Sequence, residues 1–157
     1  MAKTSCDLYR SLMGGTFKKV KTGVYPGDGV LDPRWEAHVY FNKKLGREVE
    51  SRADVSIFLG EFGPEVTHGG GTSLHDVPGW FPTPEFWIPE GTEYSAELVI
   101  VKDTKRKSSP TNPSIQGYHY QIECKSRMTV EGMKGYLNNM ARAAIVRQCE
   151  LAGSTIV

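Results

Sequence analysis

Cysteine is scarce and scattered. The 157 residues hold three, Cys6, Cys124 and Cys149, far apart and without a CxxC pair. An odd, dispersed set excludes a disulfide framework and fits a reducing compartment. It lends no support to a zinc site with His119 either, because structural zinc sites draw on closely spaced ligand pairs; no metal is expected. No apolar run approaches the roughly 18 residues of a membrane span. The start, Met1 to Cys6, has no apolar signal region, so general secretory export is not expected. Charge of one sign is missing too. A formal net charge of +1 excludes a global bias toward nucleic acid or an anionic membrane.

Common catalytic motifs are also absent. There is no GxxxxGK followed by Ser or Thr, no GxSxG, no HExxH and no EF-hand loop. Ser73 lacks the glycine two residues later that a nucleophile elbow needs, and no ordered Ser-His-Asp set is evident. There are no internal repeats and no linker-like boundary. The length fits one domain, residues 1–157, with a proper core.

What is present centres on Thr67-His68-Gly69-Gly70-Gly71-Thr72-Ser73. Three glycines let the backbone take positive φ and approach another molecule closely. Two hydroxyls follow, flanked by His68 and His75. The pattern is that of a loop presenting hydroxyls and N–H groups to a polar ligand, or of a plain surface turn. Upstream, Leu8 to Leu12 reads as a strand with Leu8, Arg10 and Leu12 on one face. An arginine between two leucines should meet an anion or carboxylate, or else reach solvent from a strand end or be paired internally.

Gly14-Gly15 breaks this strand, and Phe17 to Tyr25 is basic and irregular. Pro26-Gly27-Asp28-Gly29 is a turn. Asp32-Pro33 suits the start of a short helix, yet Ala37 to Phe41 suits a strand equally. Ser56 to Leu59 reads as a buried strand. Val77 to Pro89 carries four prolines among four large aromatics. It cannot be a regular helix or central strand, and reads as an ordered loop over the body of the domain. Pro89 to Thr92 is a turn, Leu98 to Val101 a strand, and Asp103 to Ser114 a mobile polar loop.

Tyr118 to Cys124 alternates. Tyr118, Tyr120, Ile122 and Cys124 face one way, and His119, Gln121 and Glu123 the other. That second row is either a catalytic wall or the solvated face of a half-exposed strand. The last element is an amphipathic helix. Thr129 is its N-cap, Glu131 lies in its first turn, and Gly153 ends it. Met133, Tyr136, Leu137, Met140, Ala144, Ile145, Cys149 and Leu151 form its core stripe.

Taken in order, several fragments resemble one family. They are Leu8-Tyr9-Arg10, Gly70-Gly71-Thr72-Ser73 with Asp76, Ile88-Pro89 with Gly91-Thr92, and His119-Tyr120 with Ile122. Met128, Gly135, Leu137, Asn139, Arg142, Ala144-Ile145, Arg147-Gln148 and Glu150 follow. The pattern is similar to the Tse-type toxins, type VI secretion effectors with an ADP-ribosyltransferase-like fold. The segment from Gly14 to Thr67 carries no recognisable part of it. The resemblance implies an α+β, ADP-ribosyltransferase-like split β-sandwich of mainly antiparallel strands with an amphipathic C-terminal helix.

It also implies a mono-ADP-ribosyltransferase toxin that moves ADP-ribose from NAD to a cytosolic acceptor. In that reading Tyr9, Arg10, Gly71, Thr72, Ser73 and Tyr120 bind NAD, with Arg10 on the phosphates or adjoining ribose. His119 and Ser73 join Glu123 in the chemistry. Glu123 is the candidate carboxylate because it shares a strand face with His119. Breaking the nicotinamide–ribose bond builds positive charge on the sugar, which a nearby anion stabilises. Water as acceptor would make the protein an NAD glycohydrolase. A metal-independent ribonuclease using His119, Tyr120 and Arg142 is a second class, although near-neutral charge disfavours nucleic acid. A non-catalytic binding module is a third. The resemblance further implies a cognate immunity protein and delivery into a target cytoplasm by a non-Sec route, with no membrane partner.

Overall fold

A computed structural model describes residues 1–12 and 27–153. The expected Gly14-Gly15 break and the basic stretch Phe17 to Tyr25 lie outside the described residues. The first strands are β1 (Ala2–Lys3), β2 (Leu8–Ser11), β3 (His38–Asn42), β4 (Arg47–Ser51), β5 (Ile57–Gly60), β6 (Gly63–Val66) and β7 (Gly71–His75). Then come β8 (Glu85–Ile88), β9 (Glu93–Tyr94), β10 (Leu98–Lys102), β11 (Lys107–Ser108), β12 (Gln116–Gly117), β13 (His119–Cys124) and β14 (Met128–Thr129). One helix, α1 (Val130–Leu151), closes the described residues.

The main sheet has five strands in the order β10-β13-β7-β2-β8, all antiparallel. A second sheet runs β14-β6-β5, and β1-β9, β3-β4 and β11-β12 form two-stranded ribbons. Mostly antiparallel strands in several sheets with one C-terminal helix make this an α+β fold.

Alternation divides the main sheet into two faces, since directly opposed residues share a side. Leu8, Leu74, Ile88, Leu98, Ile122 and Cys124 point into the core with Met133, Leu137, Met140, Ala141 and Ala144 of α1. The helix packs against β6, β8, β9 and β14. Thr129 caps it, its side chain accepting from the Gly132 N–H, and Glu131 sits in the first turn. Burial along α1 ends at Ala144. Cys149 is therefore half-buried and Leu151 is 51% exposed, outside the stripe expected of them.

Other expectations are corrected. Ile57–Gly60 is a strand, but not a buried one: Phe58 is 43% and Leu59 92% exposed, because β5 is the edge of the small sheet. Ala37 to Phe41 takes the strand alternative within β3, and Asp32 caps no helix. The proline-rich segment is not all loop. Glu85–Ile88 forms β8 at the sheet edge, where a flanking proline disturbs no second ladder. The polar loop after Asp103 is anchored rather than loose. Lys107–Ser108 pairs with β12, and buried Ser109 donates to the Trp80 carbonyl at 2.5 Å.

Candidate active site

The glycine-rich stretch is a loop only as far as Gly70. Gly71, Thr72 and Ser73 belong to β7, inside the main sheet. A Cβ on Gly71 would lie 1.8 Å from the Ile122 carbonyl oxygen, so β13 needs glycine there to come close. Thr72 faces the core and is fully buried, with its hydroxyl donating to the Leu31 carbonyl at 2.5 Å. Ser73 and His75 point to the opposite side.

β2 and β7 pair at one position, Tyr9 with His75. Beyond it the strands part, and Arg10 spans the gap. Its Nη1 donates to the Ser73 carbonyl at 3.1 Å and its Nη2 to the Asp32 carbonyl at 2.9 Å. Nε is buried and has no partner among the described residues. Burial lowers the guanidinium pKa below its ordinary value, while Asp54 and Asp32 raise it. Of the alternatives for Arg10, the structure shows internal pairing, with two carbonyl oxygens, and Asp32 and Asp54 lie close enough to act through charge. The turn that presents Asp32 is held on α1. Gly27 and Gly29 take φ of 87° and 77°, and the Gly29 N–H donates to Asn138 at 3.0 Å.

A cleft of about 800 Å³ lies beside this parting of the strands. Arg10, Ser73 and His75 line it on the sheet side. Trp35, Asp54 and Lys134 lie among the residues of the other walls. The volume falls within the roughly 300–1,000 Å³ of small-molecule sites. Trp35 carries a buried indole N–H without a partner among the described residues, and the Lys134 ammonium lies 5.6 Å from its ring centre.

Behind Ser73 runs a hydrogen-bonded chain. Ser73 Oγ is 2.6 Å from His119 Nε2, and His119 Nδ1 is 3.1 Å from Asp103 Oδ2. A Ser-His-Asp set therefore exists, contrary to the sequence reading. No local signal could reveal it, because Asp103 follows β10 and reaches His119 across the sheet. The β10–β13 register, with Lys102 opposite Tyr120, brings the two together. A carboxylate only accepts, so the neutral ring satisfies both contacts with its proton on Nδ1 and Nε2 accepting from the serine. His75 lies beside this chain, stacked on Trp80 at 4.1 Å and edge-on to His119 at 5.4 Å. Burial first, then His119, holds the His75 pKa down at about 4.

Glu123 is on the same row as His119 but further along. Its carboxylate accepts from the Gly69 N–H at 2.7 Å and from Gln121 at 3.2 Å. It is not among the cleft-lining residues, whereas Ser73, opposite Gln121, is. Tyr120 turns to the other face and packs against the core. Its phenol is pushed up to about 12, first by burial and then by a hydrogen bond with Cys6. Tyr9 is half-buried beside His75, its phenol also raised by burial and by Asp7 and Glu85. Sequence reasoning missed Asp103, Asp54 and Trp35 as parts of this region.

The model of the Tse2 ADP-ribosyltransferase toxin family matches residues 7–149. The chain belongs to that family. It is also 31% identical over 156 residues to Toxin Tse2 of Pseudomonas aeruginosa strain PAO1, which covers 96% of this chain and 94% of the relative. The similarity runs through residues 14–67, where the sequence reading found none. The protein is thus an ADP-ribosyltransferase toxin, a transferase that uses NAD. The glycohydrolase and ribonuclease readings gain no support.

Proposed function

We propose that the cleft beside the parting of β2 and β7 seats NAD for transfer of its ADP-ribose to a macromolecule of a target-cell cytosol. The observation that carries the reading is Arg10. Its guanidinium lies where the sheet parts, two of its nitrogens are fixed by carbonyls, and a buried Nε–H remains for an acceptor at the cleft. A preset guanidinium binds phosphate or ribose oxygens without further ordering of its side chain.

In this reading Tyr9, Arg10, Gly71, Thr72, Ser73 and Tyr120 serve NAD in two ways. Arg10 and Ser73 border the cleft and contact the dinucleotide, and Tyr9, which is not among the lining residues, supports the lining residue His75 from the paired strand. Gly71, Thr72 and Tyr120 work from within the sheet, holding β7 and β13 in place. Ser73 and His119 act at the nicotinamide ribose. Glu123 is proposed as the carboxylate that favours positive charge on the sugar, acting through Gln121, which it holds. One domain, 1–157, carries the whole activity, with no metal. We propose further that a cognate immunity protein binds the toxin, and that it enters its target as a type VI secretion effector.

Nicotinamide release from NAD by the purified protein tests this, with and without bacterial cytosolic extract. Release that requires extract and is lost in Arg10→Ala supports transfer to a macromolecule. Equal release without extract would assign the reaction to water. No release under either condition removes the reading of the cleft.

A further inference from the structure

We infer that Ser73 and His119 form a proton relay that takes up the acceptor's proton in the cleft, with Asp103 as the positioning residue that holds the His119 tautomer. The inference rests on the NAD reading of the cleft. Transfer breaks the bond between ribose C1′ and the nicotinamide nitrogen, and the electron pair leaves with neutral nicotinamide. A new bond forms from C1′ to the acceptor heteroatom. That atom arrives carrying a hydrogen, so each turnover must dispose of one proton. No oxidant or reductant is involved.

The chain of contacts is suited to this. The acceptor passes its proton to Ser73 Oγ as Ser73 passes its own to His119 Nε2, across 2.6 Å. The imidazolium that results faces the Asp103 carboxylate at 3.1 Å. Asp103 is more exposed than His119. Ser73 borders the cleft, the His119 side chain is 24% exposed, and the Asp103 side chain is 41% exposed. Asp103 keeps a proton on Nδ1 and stabilises the imidazolium, which gives its Nε2 proton to water once the product has left, so the ring returns to the tautomer that accepts from Ser73.

The surroundings leave this direction of travel open. Of the titratable groups around His119, Asp103 comes from the end of β10, His75 from β7 and Tyr9 from β2 beyond it, and Glu123 shares the row on β13. His75 is neutral near pH 7 and lies against Trp80, so it contributes a wall and no competing charge. The Asp103 carboxylate is not needed for the sheet. The backbone N–H of Asp103 donates to the His119 carbonyl at 2.9 Å whatever its side chain.

The test is Asp103→Asn in the full-length protein. An asparagine amide can offer an N–H to Nδ1 and shift the ring proton to Nε2, which then cannot accept from Ser73. The expected result is a fall in kcat of about 10²-fold or more for nicotinamide release with bacterial cytosolic extract. KM for NAD stays near wild type, and Asp103→Glu recovers most of the rate. The ring 15N shifts of His119 in the free protein should show the proton on Nδ1 in wild type and on Nε2 in Asp103→Asn. An unchanged kcat, a rise in KM alone, or an unchanged tautomer overturns the relay and leaves the NAD reading standing. A wild type that releases no nicotinamide overturns both.

Discussion

Arg10 donates to the Ser73 carbonyl at the point where β2 and β7 stop pairing. A side chain thus takes the place of a ladder hydrogen bond, and the strands are held apart without leaving that carbonyl unsatisfied. The residue that spans this parting is the one proposed to read the substrate in the cleft beside it.

Arg10→Lys separates these two tasks. A lysine ammonium keeps the charge but lacks the planar fork that reaches two carbonyls and a ligand together. The expected cost is about 2–3 kcal/mol of stability, from one or two charge-assisted bonds lost in a half-buried site. KM for NAD should rise about tenfold or more, the effect of losing roughly 1.4 kcal/mol of binding. Urea unfolding and steady-state nicotinamide release measure the two effects separately. A KM that stays at the wild-type value would remove Arg10 from the binding site.

His75 makes stability depend on pH. Its folded-state pKa is depressed from 6.5 to about 4, so between those values the unfolded chain takes up a proton that the folded chain does not. Stability from this group is fully present above about pH 6.5 and is lost as pH falls toward 4. The amount is of the order of 3 kcal/mol. His75→Phe keeps a flat ring against Trp80 and removes the titration. Its unfolding free energy should change less than that of the wild type from pH 7 to 4. Parallel profiles for the two proteins would count against the assignment.

The elements with a strong period were legible in the sequence. The His119–Cys124 strand shows both faces as its alternation implies, and the final helix begins at the expected Thr129 cap. Failures came where partners lie far away in the chain. Nothing near Ile57 says that its strand would be an edge, and an edge strand need not be buried. Nothing near Asp103 says that β10 would lie beside β13. Arg10 was singled out correctly as a charge needing company, yet its partners, the carbonyls of Ser73 and Asp32, are backbone atoms that no residue pattern announces.

Thr72→Val tests whether the hydroxyl acts through the fold. The replacement keeps the shape but leaves the buried Leu31 carbonyl without its donor. A loss of about 1–3 kcal/mol is expected. Because Leu31 precedes Asp32, whose carbonyl holds Arg10, the turn should loosen and KM for NAD should rise with the loss of stability. Thermal unfolding with and without NAD reads both. An unchanged melting temperature would mean that the Thr72–Leu31 bond contributes nothing to holding the turn.

Gly71→Ala tests the close approach of β7 to β13. The added methyl would meet the Ile122 carbonyl oxygen at 1.8 Å, and that oxygen belongs to backbone in the middle of the sheet, with no flexible end to swing aside. The strands must separate, which strains the ladder that places Ser73 opposite Gln121. Overpacking of this kind costs about 1–3 kcal/mol, and more when backbone must move. The expected variant melts several degrees lower and shows weakened protection of the β7 and β13 amides in hydrogen exchange. Gly69→Ala is the comparison. It has open space around it but φ of 102°, so any cost there comes from backbone conformation and not from a neighbour. Lost protection in β7 and β13 for Gly71→Ala, and not for Gly69→Ala, would locate the constraint in the packing of the two strands. Equal loss in both would place it in the glycine-rich turn.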